Sequence, residues 1–245
     1  MVKESKRHLI EDLKKQILGL QGYSALSIQE NSLPKLSLFA NAFPNKNFPL
    51  EGIHEFIAIE TEDTAASVGF INALLSALME TGSPSIWISS SRNLFPPAMQ
   101  RFALKPDQII FIDLNHQKEI LWVLEEALKC ENLSAVVAEI SELSFSQSRR
   151  LQLVIEKSKV PAFILRNNPQ QVSNTTCLAR WQIKHLPSLL PDGMPGVGHP
   201  SWSVNLLKVR NAQPANFEVA WNGTTFQHLN QVQKVLQPLK KLQAS

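Results

Sequence analysis

Three carboxylates and no cation stand where a phosphate would be expected. Glu60-Thr61-Glu62-Asp63 follows an apolar run, Ile53-His54-Glu55-Phe56-Ile57-Ala58-Ile59, and precedes a second apolar stretch from Thr64 to Met79. The first run reads as a buried strand and the second as a helix. The four residues between them therefore sit where a nucleotide-binding α/β protein carries its glycine-rich turn and lysine. That turn needs glycines so that backbone N–H groups can approach the phosphates, and a cation to meet their charge. This one has neither, and its acids oppose phosphate. The residues predict a nucleotide-binding scaffold that has lost nucleotide binding and uses no cofactor, so function is to be sought in its surfaces.

Other reactive side chains make weaker patterns. His54, His185 and His199 lack metal-ligand spacing, and Cys130 and Cys177 are too few and too distant for a zinc site or a disulfide framework. Ser89-Ser90-Ser91 lies in no nucleophile-elbow context. Neither a catalytic nor a metal site is expected. Arg149 and Arg150, at the start of a predicted helix, suit DNA phosphate or an acidic partner. The reading preferred here is a solvated helix face, with one arginine paired to Glu139 or Glu142. Phe95-Pro96-Pro97 reads either as an exposed partner loop or as a proline-started helical turn. Trp202 reads as core.

The elements that position these residues alternate. Strands are predicted at 53–59, 85–89, 108–112, 135–139 and 161–165, and helical segments near 64–80, 96–103, 117–129 and 146–158, with Asn115 and Ser146 as N-caps for the last two. Continuous apolar strands alternating with helices predict a mostly parallel sheet covered on both faces. After Asn167 prolines mark loops, and 180–184, 202–209 and 217–221 alternate as antiparallel strands do. Asn222-Gly223 suits a tight turn.

Both ends are predicted to be helical. Leu9, Leu13, Ile17 and Leu20 form a stripe within residues 3–20, and a last helix pattern spans 227–242. Between 27 and 49 a stretch rich in Asn, Pro and Ser reads as a connection over the surface. The expected organisation is an N-terminal helix and linker over 1–50, a core over 51–225 and a basic tail over 226–245.

The chain has 245 residues, 44% of them hydrophobic, with a net charge of +3. It carries neither a long uncharged apolar run nor a signal-peptide pattern, so a cytoplasmic protein is expected. From Gly193 onward the basic residues are Lys208, Arg210, Lys234, Lys240 and Lys241, against Glu218 as the only acid. Such an end suits DNA phosphates, an acidic protein patch or mere solubility.

The order of strand, altered phosphate loop, long apolar helix and acid-ended strand resembles the ATPase core of the recombinase RecA over roughly 50–210. A closer resemblance is to the ImuA family, RecA-like accessory proteins of error-prone repair related to the division inhibitor SulA. It is carried by Gly52-Ile53-His54-Glu55-Phe56, Trp87-Ile88-Ser89, Leu94-Phe95-Pro96-Pro97, Glu125-Glu126-Ala127-Leu128, Ser148-Arg149-Arg150-Leu151-Gln152-Leu153, Arg180-Trp181 and Trp202 to Arg210. By that resemblance the RecA lysine falls at about Thr64, its preceding glycine at Asp63 and its water-activating acid near Ser91. Glu139 alone survives, as a relic acid.

The resemblance implies a RecA-like α/β core with terminal helices, and a non-catalytic accessory role in SOS-linked translesion synthesis. The implied partners are an ImuB-like inactive Y-family polymerase homologue, an error-prone replicative-type polymerase subunit and RecA. DNA contact through phosphates remains open, and no membrane is involved. The candidate contacts are Leu9, Leu13, Ile17, Leu20, Arg149, Arg150, Lys234, Lys240 and Lys241. The alternatives are a SulA-like division inhibitor and a weak RecA-like ATPase.

Overall fold

The apolar runs pair as parallel strands: β1 (Ile53–Ala58), β2 (Ser85–Ser89), β3 (Ile109–Asp113), β4 (Ala135–Ile140) and β5 (Ala162–Asn167). This is a computed structural model, which describes residues 13, 33–91, 94–189 and 198–230. Of the residues singled out in the sequence, Leu9, Ile17, Leu20, Lys234, Lys240 and Lys241 lie outside it.

The strands order as β3-β2-β4-β5-β1, and every residue of β1, β2 and β4 is buried. That burial is why they read as unbroken apolar runs rather than alternating ones. β5 starts one residue later than expected because Pro161 has no N–H to give to the ladder.

The sheet continues beyond β1. β6 (Ala179–Leu189) pairs parallel to it, and β7 (His199–Val209), β8 (Ala215–Trp221) and β9 (Phe226–His228) follow antiparallel. The result is one nine-stranded mixed sheet with an antiparallel C-terminal extension, as expected. Three particulars differ. Pro187 falls inside β6, next to a register shift between Leu186 and Leu189, and not in a loop. Pro200 likewise lies within β7. Residues 226–228 form a strand edge rather than the start of a helix, because Val219 pairs with His228.

Four α-helices are described: α1 (Ser37–Ala40), α2 (Thr61–Leu78), α3 (Gln117–Ala127) and α4 (Phe145–Ser158). The cap of α4 is Ser144, not Ser146. Its hydroxyl accepts from the Gln147 N–H while the Gln147 amide oxygen accepts from the Ser144 N–H, a reciprocal capping box. His116, not Asn115, precedes α3 and makes no side-chain cap. Residues 96–102 form a 3₁₀ helix started by two prolines and closed by Ala103 at positive φ.

Two cores flank the sheet. α3 and α4 bury Ile120, Leu124, Leu151 and Ile155 against Ile53, Ile88, Val136 and Ile164 on one face. On the other, α2 covers β1, β6 and β7 with an aromatic cluster. α2 together with the turn after it is long and apolar enough to cross a membrane by length and composition, yet most of it is buried within the fold.

The described part of the expected surface linker belongs to this second core. Leu36, Phe39, Phe43 and Phe48 are all buried. Phe39 sets its ring edge-on to Phe70 at 5.5 Å and to Phe226 at 5.0 Å. The Asn and Pro content suggested an exposed connection, but the spacing of these four apolar side chains decides the outcome. A boundary at residue 50 therefore cuts through packed core.

Candidate functional site

Nucleotides bind to RecA-like sheets at the carboxyl ends of the parallel strands, and here those ends are closed by the chain's own side chains. Glu60 flanks α2, and Glu62 and Asp63 lie in its first turn. Acids there interact favourably with the positive end of the helix dipole, the same field that would otherwise attract phosphate. The Thr64 hydroxyl donates to the Glu60 carbonyl at 3.3 Å and the Asn167 amide oxygen at 3.2 Å. Asn167, ending β5, donates to Glu139 Oε2 at 3.3 Å. Trp87 of β2 donates its indole N–H to Glu139 Oε1 at 2.8 Å.

Both oxygens of Glu139 are thus occupied. Burial pushes the Glu139 carboxyl above its ordinary range, and the hydrogen bonds from Trp87 and Asn167 oppose that shift. No arginine is within this set. Arg150 of α4 reaches across to Glu125 of α3 at 2.5 Å, and Arg149 pairs along α4 with Glu156 at 3.8 Å, so the expected pairing with Glu139 or Glu142 is not made. Glu142 instead holds Arg166, a fully buried arginine that also donates to the Ser141 and Gln171 carbonyls. Ser91 is exposed. Among the described residues no three His, Cys, Asp or Glu side chains cluster as a metal site would require.

The sequence patterns 52–56 and 180–181 turn out to be one interlocked unit, because β1 and β6 are neighbours and Glu55 lies beside Arg180 in register, Phe56 beside Trp181. Gly52 allows a close approach, since a Cβ there would sit 2.4 Å from Leu178. The buried Glu55 carboxylate accepts from Arg180 Nε at 2.7 Å. Phe56 stacks on Trp181 with ring centroids 6.1 Å apart. Trp181 also donates to His54. Sequence reasoning weighed His54 only as a metal ligand and passed over Glu55. The signal available was two polar residues inside an otherwise apolar, fully buried strand, which demands buried partners.

Arg180 also reaches the Ser173 carbonyl and the Thr175 hydroxyl. Lys208 donates to the Thr175 carbonyl at 3.1 Å, and Arg210 to that of Thr176. Two of the basic residues counted toward a charged C-terminal region are therefore engaged in holding a loop. Cys177, buried beneath it, has its thiol pushed up by burial. Cys130 is exposed, and both cysteines are free thiols.

Comparison with known proteins agrees with this picture. The chain is similar to Protein ImuA of Caulobacter vibrioides, in two strains: 29% identical over 187 residues, covering 71% of this chain and 77% of the relative. Among solved structures it resembles the crystal structure of the RadB recombinase, with a TM-score of 0.55 and 13% identity, covering 81% of this chain and 99% of that one. No family model matches. The likeness to ImuA bears out the resemblance read from the sequence, and the RadB match bears out the RecA-like fold.

Proposed function

From the premise that this chain is a relative of Protein ImuA, we propose that it serves DNA damage-inducible mutagenesis as a non-catalytic docking protein in translesion synthesis. Its partners in this reading are an ImuB-like inactive Y-family polymerase homologue, an error-prone replicative-type polymerase subunit and RecA. Any DNA contact runs through phosphates. The core is the rigid platform, and the terminal segments carrying Leu9, Leu13, Ile17, Leu20 and Lys234, Lys240, Lys241 supply contacts.

One observation carries the non-catalytic part: both Glu139 oxygens accept hydrogen bonds from Trp87 and Asn167. Phosphoryl transfer needs a cation on the phosphates, a backbone cradle and a carboxylate open to a metal ion or its water. Thr64 supplies no charge, the turn carries no glycine, and the relic acid is engaged. Calorimetric titration with Mg-ATP is expected to give no binding heat, and turnover assays no phosphate release. Micromolar affinity, or a turnover abolished by Glu139→Gln, overturns the reading.

A further inference from the structure

α3 links β3 to β4 and α4 links β4 to β5, all parallel strands, so the two helices run in the same direction over one face of the sheet. Their inner sides supply the core. Their outer sides hold two large apolar residues in solvent, Trp122 of α3 at 64% and Leu153 of α4 at 45% exposure. Tryptophan is on average a well-buried residue, and it is enriched where proteins meet.

One seam joins them. Leu121 and Trp122 share a groove of about 220 Å³ with Leu151, and further along Leu153 and Val154 share one of about 320 Å³ with Lys129 and Glu131. The Arg150–Glu125 ion pair crosses between the helices. The first groove sets Lys118, Trp122 and Glu125 level with Gln147 and Arg150, and the second sets Lys129 level with Leu153 and Lys157. Trp122 and Leu153 therefore belong to one continuous surface.

The charges decide what this surface fits. Over 117–131 and 145–158 there are five basic and five acidic residues, so neither a nucleic-acid strand nor a protein patch of one sign is matched. Three pairs are closed within the face: Arg150 with Glu125, Arg149 with Glu156 and Lys129 with Glu126. Lys118 and Glu131 are exposed and form no ion pair with any described residue. Lys118 stands in the first turn of α3 and Glu131 just beyond its end, opposite signs at opposite ends of one helix. A surface ordered in this way is complementary to itself reversed.

We propose that the α3–α4 face docks a second copy of this chain about a two-fold axis, with the two α3 helices antiparallel. Lys118 of each copy then faces Glu131 of the other, and Trp122 and Leu153, both toward the middle of the face, pack across the axis. The helices have 11 and 14 residues, which with neighbouring axes 8–10 Å apart gives a face about 20 Å long and about 20 Å wide. That is smaller than the roughly 800 Å² per partner of a standard interface, so the dimer is a weak one that forms at micromolar concentration. The contact belongs to the core, beyond the terminal segments invoked above, and does not depend on the docking reading.

Sedimentation equilibrium of the full chain across the micromolar range tests this, and a monomer–dimer equilibrium is expected. Trp122→Ser should weaken association by at least about tenfold, as loss of a central interface tryptophan does. Lys118→Glu and Glu131→Lys should each weaken it by about tenfold, since the two-fold axis repeats each repulsion. An equimolar mixture of these two single variants should associate as well as the wild type, because each supplies the charge that the other has lost. Leu207→Ser, at an exposed apolar residue of β7 away from both helices, should change nothing. Circular dichroism checks the fold of each variant, and if Trp122→Ser is unfolded the mixing experiment carries the test alone. A monomer at every concentration, a dimer untouched by a folded Trp122→Ser, charge variants that fail to associate when mixed, or a dimer abolished by Leu13→Asp instead would overturn the proposal.

Discussion

The Trp181 indole N–H donates to Nδ1 of His54 at 3.2 Å, deep in the aromatic core. An indole nitrogen can only donate, so Nδ1 is the acceptor and the proton sits on Nε2, which donates to the Pro49 carbonyl at 2.7 Å. Phe48 stacks on the imidazole with ring centroids 5.0 Å apart. The site accommodates only the neutral ring, and burial lowers the His54 pKa from 6.5 to about 4.

Stability should therefore depend on pH through this residue. The unfolded chain takes up the proton more readily than the folded one, so the contribution is fully present above pH 6.5 and is lost as pH falls toward 4. The loss amounts to about 3 kcal/mol over that window. Urea denaturation of the wild type and of His54→Phe across pH 4 to 7 checks it. The difference in stability between the two should shrink as the solution is acidified, and a constant difference would refute the assignment.

Phe39→Ala should destabilise the protein by about 3–5 kcal/mol, the usual cost of removing a fully buried aromatic ring. Equilibrium denaturation measures this directly. A surface linker would instead tolerate the change with almost no loss.

Leu13 is 47% exposed in the described chain. Leu13→Asp should accordingly shift the thermal midpoint by no more than about 2 °C. It should nevertheless abolish pull-down of RecA or of the polymerase-like partner. A large loss of thermal stability would show that the stripe serves folding.

Replacing Lys234, Lys240 and Lys241 together with Glu should weaken association with DNA or with an acidic partner. If phosphates are the target, the salt dependence of binding should flatten, since fewer counterions are released. Binding unchanged at all salt concentrations would make the tail a solubilising appendage.

The parallel half of the sheet was legible in the sequence because strands buried on both faces must be apolar throughout, and the helices between them are long. The acid-rich turn, without the glycine or lysine of a phosphate loop, was legible too, in residue types alone. What stands in its place was not, because Trp87, Glu139, Asn167 and Thr64 meet only through the fold. The segment 33–50 was misread for a related reason. Its helices are only a few residues long, and its phenylalanines are spaced for a groove that residues from four strands and α2 create. Glu55 and Arg180 show the same limit, since they are far apart in the chain and adjacent in the sheet.

Ile53 pairs with Ala162 and His54 with Ala179, so β1 is synthesised well before either of its partners. During translation it is a strand without neighbours, in an apolar run of the kind that aggregates from unfinished chains. His54 and Glu55 interrupt that run. While β6 is still unmade, both can remain hydrated and discourage pairing between nascent chains, much as charged gatekeepers do beside hydrophobic strands. When β6 arrives, Trp181 and Arg180 take them out of water together. Glu55 and His54, polar residues at the heart of the sheet, meet Arg180 and Trp181 in the one register that β6 takes beside β1.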